Sequence, residues 1–312
     1  MNSEETGKAA TVAVVGASGF IGTAVASALE ESGAHVLRVK SPRLKPQGAL
    51  RDGTSYYHAV VTRLSSQFKG CSAVVNAAGV AEPTRHRAGD MTSANAILPG
   101  LVAAAASAAG ARTVHISSAA VQGRIATLDS SSYVDPISKY AKSKSDGEKA
   151  ALDNGRNVII YRPPGVHGPN RNVTRAVKRL ATGRISCVAA PGSNNTPQAH
   201  IANVASAIAF LATTDEAAPN CVSHPSEGLT TAQLLSILGG RSPVLVPRAL
   251  ARCAVAFCFA IANLIPAAVP HARRLEVLWF GQGQALSWLS DAGWRPPVGI
   301  DGWNALRESP YN

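Results

Sequence analysis

The heptapeptide Gly16-Ala17-Ser18-Gly19-Phe20-Ile21-Gly22 stands between a β-branched run at residues 11–15 (TVAVV) and a helix-forming stretch at residues 23–32. Three glycines separated by two residues permit a tight turn and leave the backbone bare enough for a close neighbour. Where such a turn feeds a helix, unpaired N–H groups and the positive end of the helix dipole face the turn. Strand, glycine turn and helix in this order commit the start of the chain to a βαβ unit with an anion-binding turn.

The pattern continues beyond the turn. Residues 35–39 (HVLRV), 73–76 (AVVN), 113–116 (TVHI) and 158–161 (VIIY) read as further strands, with an Ala/Leu-rich helix at 96–109. Strands alternating with helices predict an α/β fold, a Rossmann-type doubly wound parallel sheet. From about residue 165, proline and glycine punctuate shorter segments, among them a helix at 230–238. The expected organisation is a dinucleotide-binding domain at 1–164 and a smaller α/β substrate lobe at 165–312, with segments such as 198–212 returning to the first domain.

Charge narrows the partners. The formal net charge is +11, which attracts polyanions. The lysines and arginines are scattered, with no basic run and no stripe interleaved with aromatics, so a phosphorylated small molecule is expected and nucleic acid is not. Five cysteines (Cys71, Cys187, Cys221, Cys253 and Cys258) form no CxxC pair, which predicts reduced, buried thiols and a cytoplasmic setting. The eight histidines are not spaced like zinc ligands, and no metal is expected. The first ten residues are polar and lack the parts of a signal peptide. The apolar stretch at 249–270 is interrupted by Arg252, Asn263 and Pro266 and falls short of the roughly 20 residues that span a bilayer. It predicts a helix that is buried or lies at an interface, with peripheral membrane contact as one form of the latter.

The end of the second strand decides which dinucleotide such a turn prefers. A carboxylate there binds a ribose 2′-hydroxyl, as in NAD, and a cation accommodates a 2′-phosphate, as in NADP. Here Lys40, Ser41 and Arg43 follow the strand and no acid does. NADP(H) is the expected cofactor, with NAD(H) as the alternative.

Tyr140 and Lys144 form a YxxxK pair, which places both on one face of a helix. A nearby ammonium favours the tyrosinate and makes a tyrosine a usable acid or base. The pair lies about 120 residues after the glycine turn and shortly after a strand ending in Ser117-Ser118.

Taken in order, these motifs resemble those of the extended short-chain dehydrogenase/reductases, the group of nucleotide-sugar epimerases, dehydratases and 4-ketoreductases. The resemblance runs through Asn76-Ala77-Ala78-Gly79, Asn95, the segment Ser117-Ser118-Ala119-Ala120-Val121-Gln122-Gly123, the run Tyr161–Pro169 (YRPPGVHGP), the segment 200–204 (HIANV) and the late Gly293-Trp294-Arg295-Pro296-Pro297. It covers nearly the whole chain. It implies that Tyr140 exchanges the proton of a carbinol or ketone, that Ser118, with Ser117 as the alternative, hydrogen-bonds the same oxygen, and that Lys144 holds the cofactor ribose. It also implies that Gly16, Ser18, Gly19, Phe20, Ile21, Gly22, Ala77, Ala78, Gly79, Asn95, Pro163 and Val166 line the cofactor. Asn172, Arg175 and His200 would face the substrate, and the chain would pair as a homodimer.

Four positions depart from the family pattern. Gln122 stands where a tyrosine is usual, Thr196 where an arginine often pairs with the nucleotide diphosphate, and Ala202-Asn203 where two aspartates are usual. Arg171, Arg175, Arg179, Arg184, Arg273 and Arg274 are the candidate replacement cations. The resemblance implies an NADPH-dependent 4-ketoreductase of a nucleotide-linked sugar. The alternatives are a C4 epimerase with tightly bound NAD, a sterol-type dehydrogenase acting on a hydrophobic alcohol or ketone, and a non-catalytic NADP sensor.

Overall fold

The computed structural model describes residues 9–45, 52–80, 91–265 and 268–308. His86 and the first eight residues lie outside them. The strands are β1 (Thr11–Val15), β2 (His35–Val39), β3 (Ala73–Asn76), β4 (Arg112–Ile116), β5 (Thr127–Leu128), β6 (Val158–Arg162), β7 (Gly165–His167), β8 (Cys187–Ala189), β9 (Gln198–His200), β10 (Cys221–Ser223), β11 (Val244–Val246) and β12 (Gly283–Gln284). The helices are α1 (Phe20–Glu31), α2 (Gly53–Gln67), α3 (Leu98–Ala108), α4 (Lys139–Asn154), α5 (Asn172–Thr182), α6 (Ile201–Thr213), α7 (Thr231–Gly239), α8 (Arg248–Leu264), α9 (Val269–Phe280), α10 (Trp288–Asp291) and α11 (Ile300–Glu308).

The central sheet is parallel and six-stranded, in the order β10-β6-β4-β3-β1-β2. Its register sets Val12 against both Val36 and Ala73, and Val75 against Val114. All four residues of β3 and all five of β6 are buried. Strands covered on both faces carry no polar alternation, which is why these segments read as unbroken apolar runs.

By packing, the chain divides into two compact units. The first comprises residues 1–116, 146–160 and 205–220, and the second residues 117–145, 161–204 and 221–312. Within the first, Val15, Val39, Leu64, Phe68, Val74, Leu98 and Val102 form a buried cluster. Helix α1 buries Gly22, Val25, Ala26 and Leu29, one stripe at helical spacing. Helix α2 is rich in β-branched and polar residues and buries only Val60 and Leu64; its start is secured by Asp52, whose carboxylate accepts from the Thr54 and Ser55 N–H groups. Within the second unit, Val188, Leu229, Leu234, Leu235, Leu238 and Trp303 form a core of their own.

Several sequence expectations are adjusted. Helix α1 begins at Phe20, directly on the glycine turn, and β6 extends to Arg162. The Ala/Leu helix opens with a π-helical turn, Thr92–Ile97, before α3. The cysteines are unpaired, but only Cys71 is buried and Cys253 is exposed. The expectation of buried thiols therefore fails at Cys253, which lies on the solvent side of α8.

Candidate active site

In the first unit the glycine turn is closed on itself. The Gly19 N–H donates to the Gly16 carbonyl at 3.0 Å, and the Thr23 hydroxyl donates to the Ala17 carbonyl at 3.0 Å. Gly16 has φ +82°, a conformation side chains rarely adopt, and a Cβ there would stand 2.8 Å from the Ala78 nitrogen. A Cβ at Gly22 would collide with the Gly16 carbonyl oxygen. Helix α1 then begins at Phe20 with no side-chain cap and no acidic residue in its first turn. Ser18 and Gly19 are exposed at the top of the turn. The positive pole of the helix therefore meets a backbone trimmed of side chains, which suits a phosphate.

Two asparagines hold the wall of this turn. Asn76 accepts from the Ala78 N–H at 3.2 Å and faces the His115 ring at 3.2 Å. Asn95, in the π turn, accepts from the Val80 N–H at 2.8 Å and donates to the Val80 carbonyl at 3.0 Å. The segment Ala77-Ala78-Gly79 is thus fixed at both ends. Gly147 approaches the Asn95 carbonyl so closely that a Cβ could not fit between them.

The cationic segment joins the same construction. The Gly16 N–H donates to the Val39 carbonyl at 3.1 Å, so Lys40 follows the residue that pins the first glycine. Lys40 and Arg43 are exposed, with Ser41 between them. Arg38 is not part of this group, because it pairs with Glu30 at 2.5 Å.

In the second unit Ser118 begins a 3₁₀ turn, Ala119–Gln122, and its Oγ accepts from the Ala120 N–H at 3.2 Å. The flanking residues pin it: Ser117 N–H donates to the Tyr161 carbonyl at 2.7 Å and Ala119 N–H to the Pro163 carbonyl at 2.9 Å. With Oγ accepting from Ala120, the Ser118 O–H is free to donate, and it hydrogen-bonds Tyr140. Tyr140 lies near the start of α4, and Lys144 follows one turn later on the same helix, buried to 5% exposure. Burial raises the Tyr140 phenol above its ordinary value of 10, while the Ser118 bond and the charges of Arg171 and Arg274 pull it down. Sequence reasoning expected a depressed tyrosine; desolvation outweighs the cations, so the phenol keeps its proton at neutral pH. It also treated Arg171 and Arg274 only as phosphate ligands, whereas both act on the phenol.

The family departures have local explanations. Gln122 donates to the Asp129 carboxylate at 2.7 Å and accepts from the Asp129 N–H at 3.1 Å, so it ties down the following turn. Asn203 clamps Val298 through two bonds of 2.9 Å. Thr196 is 1% exposed, leaving no place there for a ligand-facing arginine.

Of the expected substrate residues, Asn172 and Arg175 meet each other, Arg175 donating to the Asn172 oxygen at 2.7 Å. Asn172 is the first residue of α5, and Val166 lies in β7. His200 belongs to a buried cluster organised by Glu227, a residue that sequence reasoning missed. Glu227 accepts from the His200 N–H and from Trp303 Nε1, each at 2.9 Å, and faces His224 Nε2 at 3.1 Å. His224 in turn meets the Tyr161 hydroxyl at 2.5 Å. Nothing in the local sequence marks Glu227, because two of its three partners, His200 and Trp303, come from distant segments. Among the described residues no group of three His, Cys, Asp or Glu side chains is arranged to hold a metal ion.

Comparison with solved structures bears on the fold. The chain is similar to dTDP-4-dehydrorhamnose reductase from Bacillus anthracis in complex with NADP (16% identity, 95% of this chain and 98% of that one, TM-score 0.66). It is also similar to the Bordetella bronchiseptica enzyme WbmG in complex with NAD (18% identity, 98% and 96%, TM-score 0.65). A third likeness is to UDP-glucuronic acid 4-epimerase from Bacillus cereus in complex with NAD (16% identity, 96% and 98%, TM-score 0.63). At these identities the likeness is one of fold. No curated protein matches the sequence significantly. Residues 12–222, from the first strand through the glycine turn, Ser118, Tyr140 and Lys144 to β10, match a family described as the NAD dependent epimerase/dehydratase family. With two thirds of its length matched and the glycine cradle and hydroxyl pair both in place, the chain belongs to the NAD dependent epimerase/dehydratase family.

Proposed function

We propose that this family member is an NADPH-dependent ketoreductase acting on a sugar linked to a nucleotide. The observation that carries the reading is the hydrogen-bonded pair of Ser118 and Tyr140, with Lys144 one turn further along the same helix. Burial keeps Tyr140 protonated, the form that donates to a ketone oxygen as it becomes a carbinol. Ser118 steadies the same oxygen through its hydroxyl. Lys144 anchors the ribose of the cofactor.

The residues of the first unit fit a dinucleotide. A space that a Cβ at Gly16 or Gly22 would fill lies beside an uncapped helix start, and that combination suits a pyrophosphate. Gly16, Ser18, Gly19, Phe20, Ile21 and Gly22 would hold it, with Ala77, Ala78, Gly79 and Asn95 along the remainder. Lys40, Ser41 and Arg43 would receive a 2′-phosphate, which supports NADP(H) over NAD(H). When bound, the dinucleotide supplies the hydride. Asn172 and Arg175 are proposed for the substrate's nucleotide end; His200 would contribute by shaping the site, since its ring packs on Trp303.

The test is Tyr140→Phe. Turnover should fall by about a hundredfold or more, the usual worth of a positioned acid, while NADPH affinity holds. Unchanged turnover refutes the assignment. The purified protein should release its dinucleotide on dialysis and prefer NADPH. Tightly retained NAD would identify an epimerase, which regenerates its cofactor within each cycle.

A further inference from the structure

Helix α8 buries one face and leaves another bare. Ala251, Val255 and Ala262 are buried. Turned away from them, Leu250, Cys253, Phe257, Ile261 and Leu264 recur at intervals of three and four residues, the spacing that lines side chains along one helical stripe. Leu250 is 62% exposed, Phe257 67%, Ile261 40% and Leu264 84%. Cys253 between them is exposed as well. Large apolar side chains scattered singly on a surface are ordinary; aligned over 15 residues, from Leu250 to Leu264, they mark a face that is covered in use.

The surrounding charge indicates the cover. Between Gly228 and Leu275 the chain has no aspartate or glutamate; Arg273 pairs with Glu276, Arg274 acts on Tyr140 and Arg241 donates to the Thr182 carbonyl, which leaves Arg248 and Arg252 as the cations of α8 itself. Arg248 and Arg252 occupy the first turns of α8, where the helix dipole is already positive, so they do not serve helix stability. Exposed Arg252 lies on the flank of the stripe and has the length to lay its stem along an apolar surface while its head reaches a polar one. A second copy of the chain would set the same cations against one another, each copy carrying +11. An anionic lipid surface satisfies both the stripe and its flank.

We infer that α8 lies in the plane of an anionic membrane, with Leu250, Phe257, Ile261 and Leu264 in the acyl boundary and the flanking arginines on lipid phosphates. Contact is peripheral: no helix among the described residues is long and apolar enough to cross a membrane. The inference goes beyond the proposed activity and does not depend on it.

Flotation of the full chain with vesicles tests it. Vesicles of phosphatidylcholine with phosphatidylglycerol should carry the protein upward, those of phosphatidylcholine alone should not, and salt should weaken the association. The double variant Phe257→Ser/Leu264→Ser should lose about a hundredfold or more in vesicle affinity with its circular dichroism unchanged, as expected for losing two inserted side chains. Arg252→Gln should bind more weakly and with less dependence on salt. An environment-sensitive fluorophore on exposed Cys253 gives a reading that survives if the double variant misfolds: its emission should shift to the blue with anionic vesicles. Absence of that shift, or equal flotation with both vesicle types, overturns the inference. So does a stripe variant that dissolves a dimer in sedimentation while vesicle binding is unchanged, which would make the second copy the occupant.

Discussion

Gly22 and Gly16 are in such close contact that no side chain fits between the first turn of α1 and the carbonyl of the turn that precedes it. Only backbone separates them, and the collision from an added Cβ would be with backbone, which cannot swing aside. The variant Gly22→Ala should therefore push the helix off the turn and lose roughly 1–3 kcal/mol of stability, the usual cost of overpacking. Dinucleotide affinity should fall in parallel. Thermal unfolding and calorimetric titration with NADPH check the two effects separately.

Ser118 lowers the Tyr140 pKa against the larger opposing effect of burial. Removing the hydroxyl in Ser118→Ala should let the phenol rise further. The proton-donating form then persists to higher pH, so the alkaline limb of the kcat profile should move upward. Turnover on the plateau should fall by about tenfold to a hundredfold, as for loss of one hydrogen bond to the reacting oxygen. An alkaline limb that stays in place would show that another group sets it.

Lys40 follows the residue that pins Gly16, and the sequence after the strand, Lys40 to Arg43, has no carboxylate. Lys40→Glu should weaken NADPH by about tenfold to a hundredfold and leave NADH equal or improved, since a cation beside a 2′-phosphate becomes an anion beside a hydroxyl. The ratio of the two dissociation constants, more than either alone, is the measurement that decides.

His167 is fully buried, and its pKa is lowered from 6.5 to about 4, chiefly by desolvation. Its folded value lies below its unfolded one, so the unfolded chain binds more protons between these pH values. The stability it contributes as a neutral ring is complete above pH 6.5 and is lost as pH falls towards 4, a difference of about 3 kcal/mol. His200 is shifted in the same direction by the same cause. Urea unfolding at pH 7 and pH 4.5 should show the loss, and His167→Gln should flatten that dependence.

The sequence was most legible where one physical constraint dominated. Residues 11–15 and 73–76 are strands because buried parallel strands need apolar runs, and the structure keeps those limits; the edge strand 35–39 keeps its limits too, with His35 and Arg38 exposed. The glycine turn was legible because no other residue survives at Gly16 and Gly22. Helix α2 was not, since its β-branched and serine-rich stretch has few apolar residues and buries only Val60 and Leu64 behind the Asp52 cap. Tyr140 and Lys144 stand out by their spacing and Ser118 by its place in a family segment, but the balance at Tyr140 does not show in the sequence: burial, Arg171 and Arg274 act through tertiary packing. Glu227 was invisible for the same reason, with partners at His200, His224 and Trp303 that only folding assembles.

The π turn at Thr92–Ile97 holds one residue more than an α-helical turn over the same path. Deleting any one residue within it would leave a regular helix and rotate what precedes by about 100° relative to α3. Wherever Asn95 is kept, it would then point away from Val80, at the loss of a single residue. The asparagine's aim is thus recorded as a phase offset in a helix, a quantity that a single insertion or deletion can write or erase and that no substitution can.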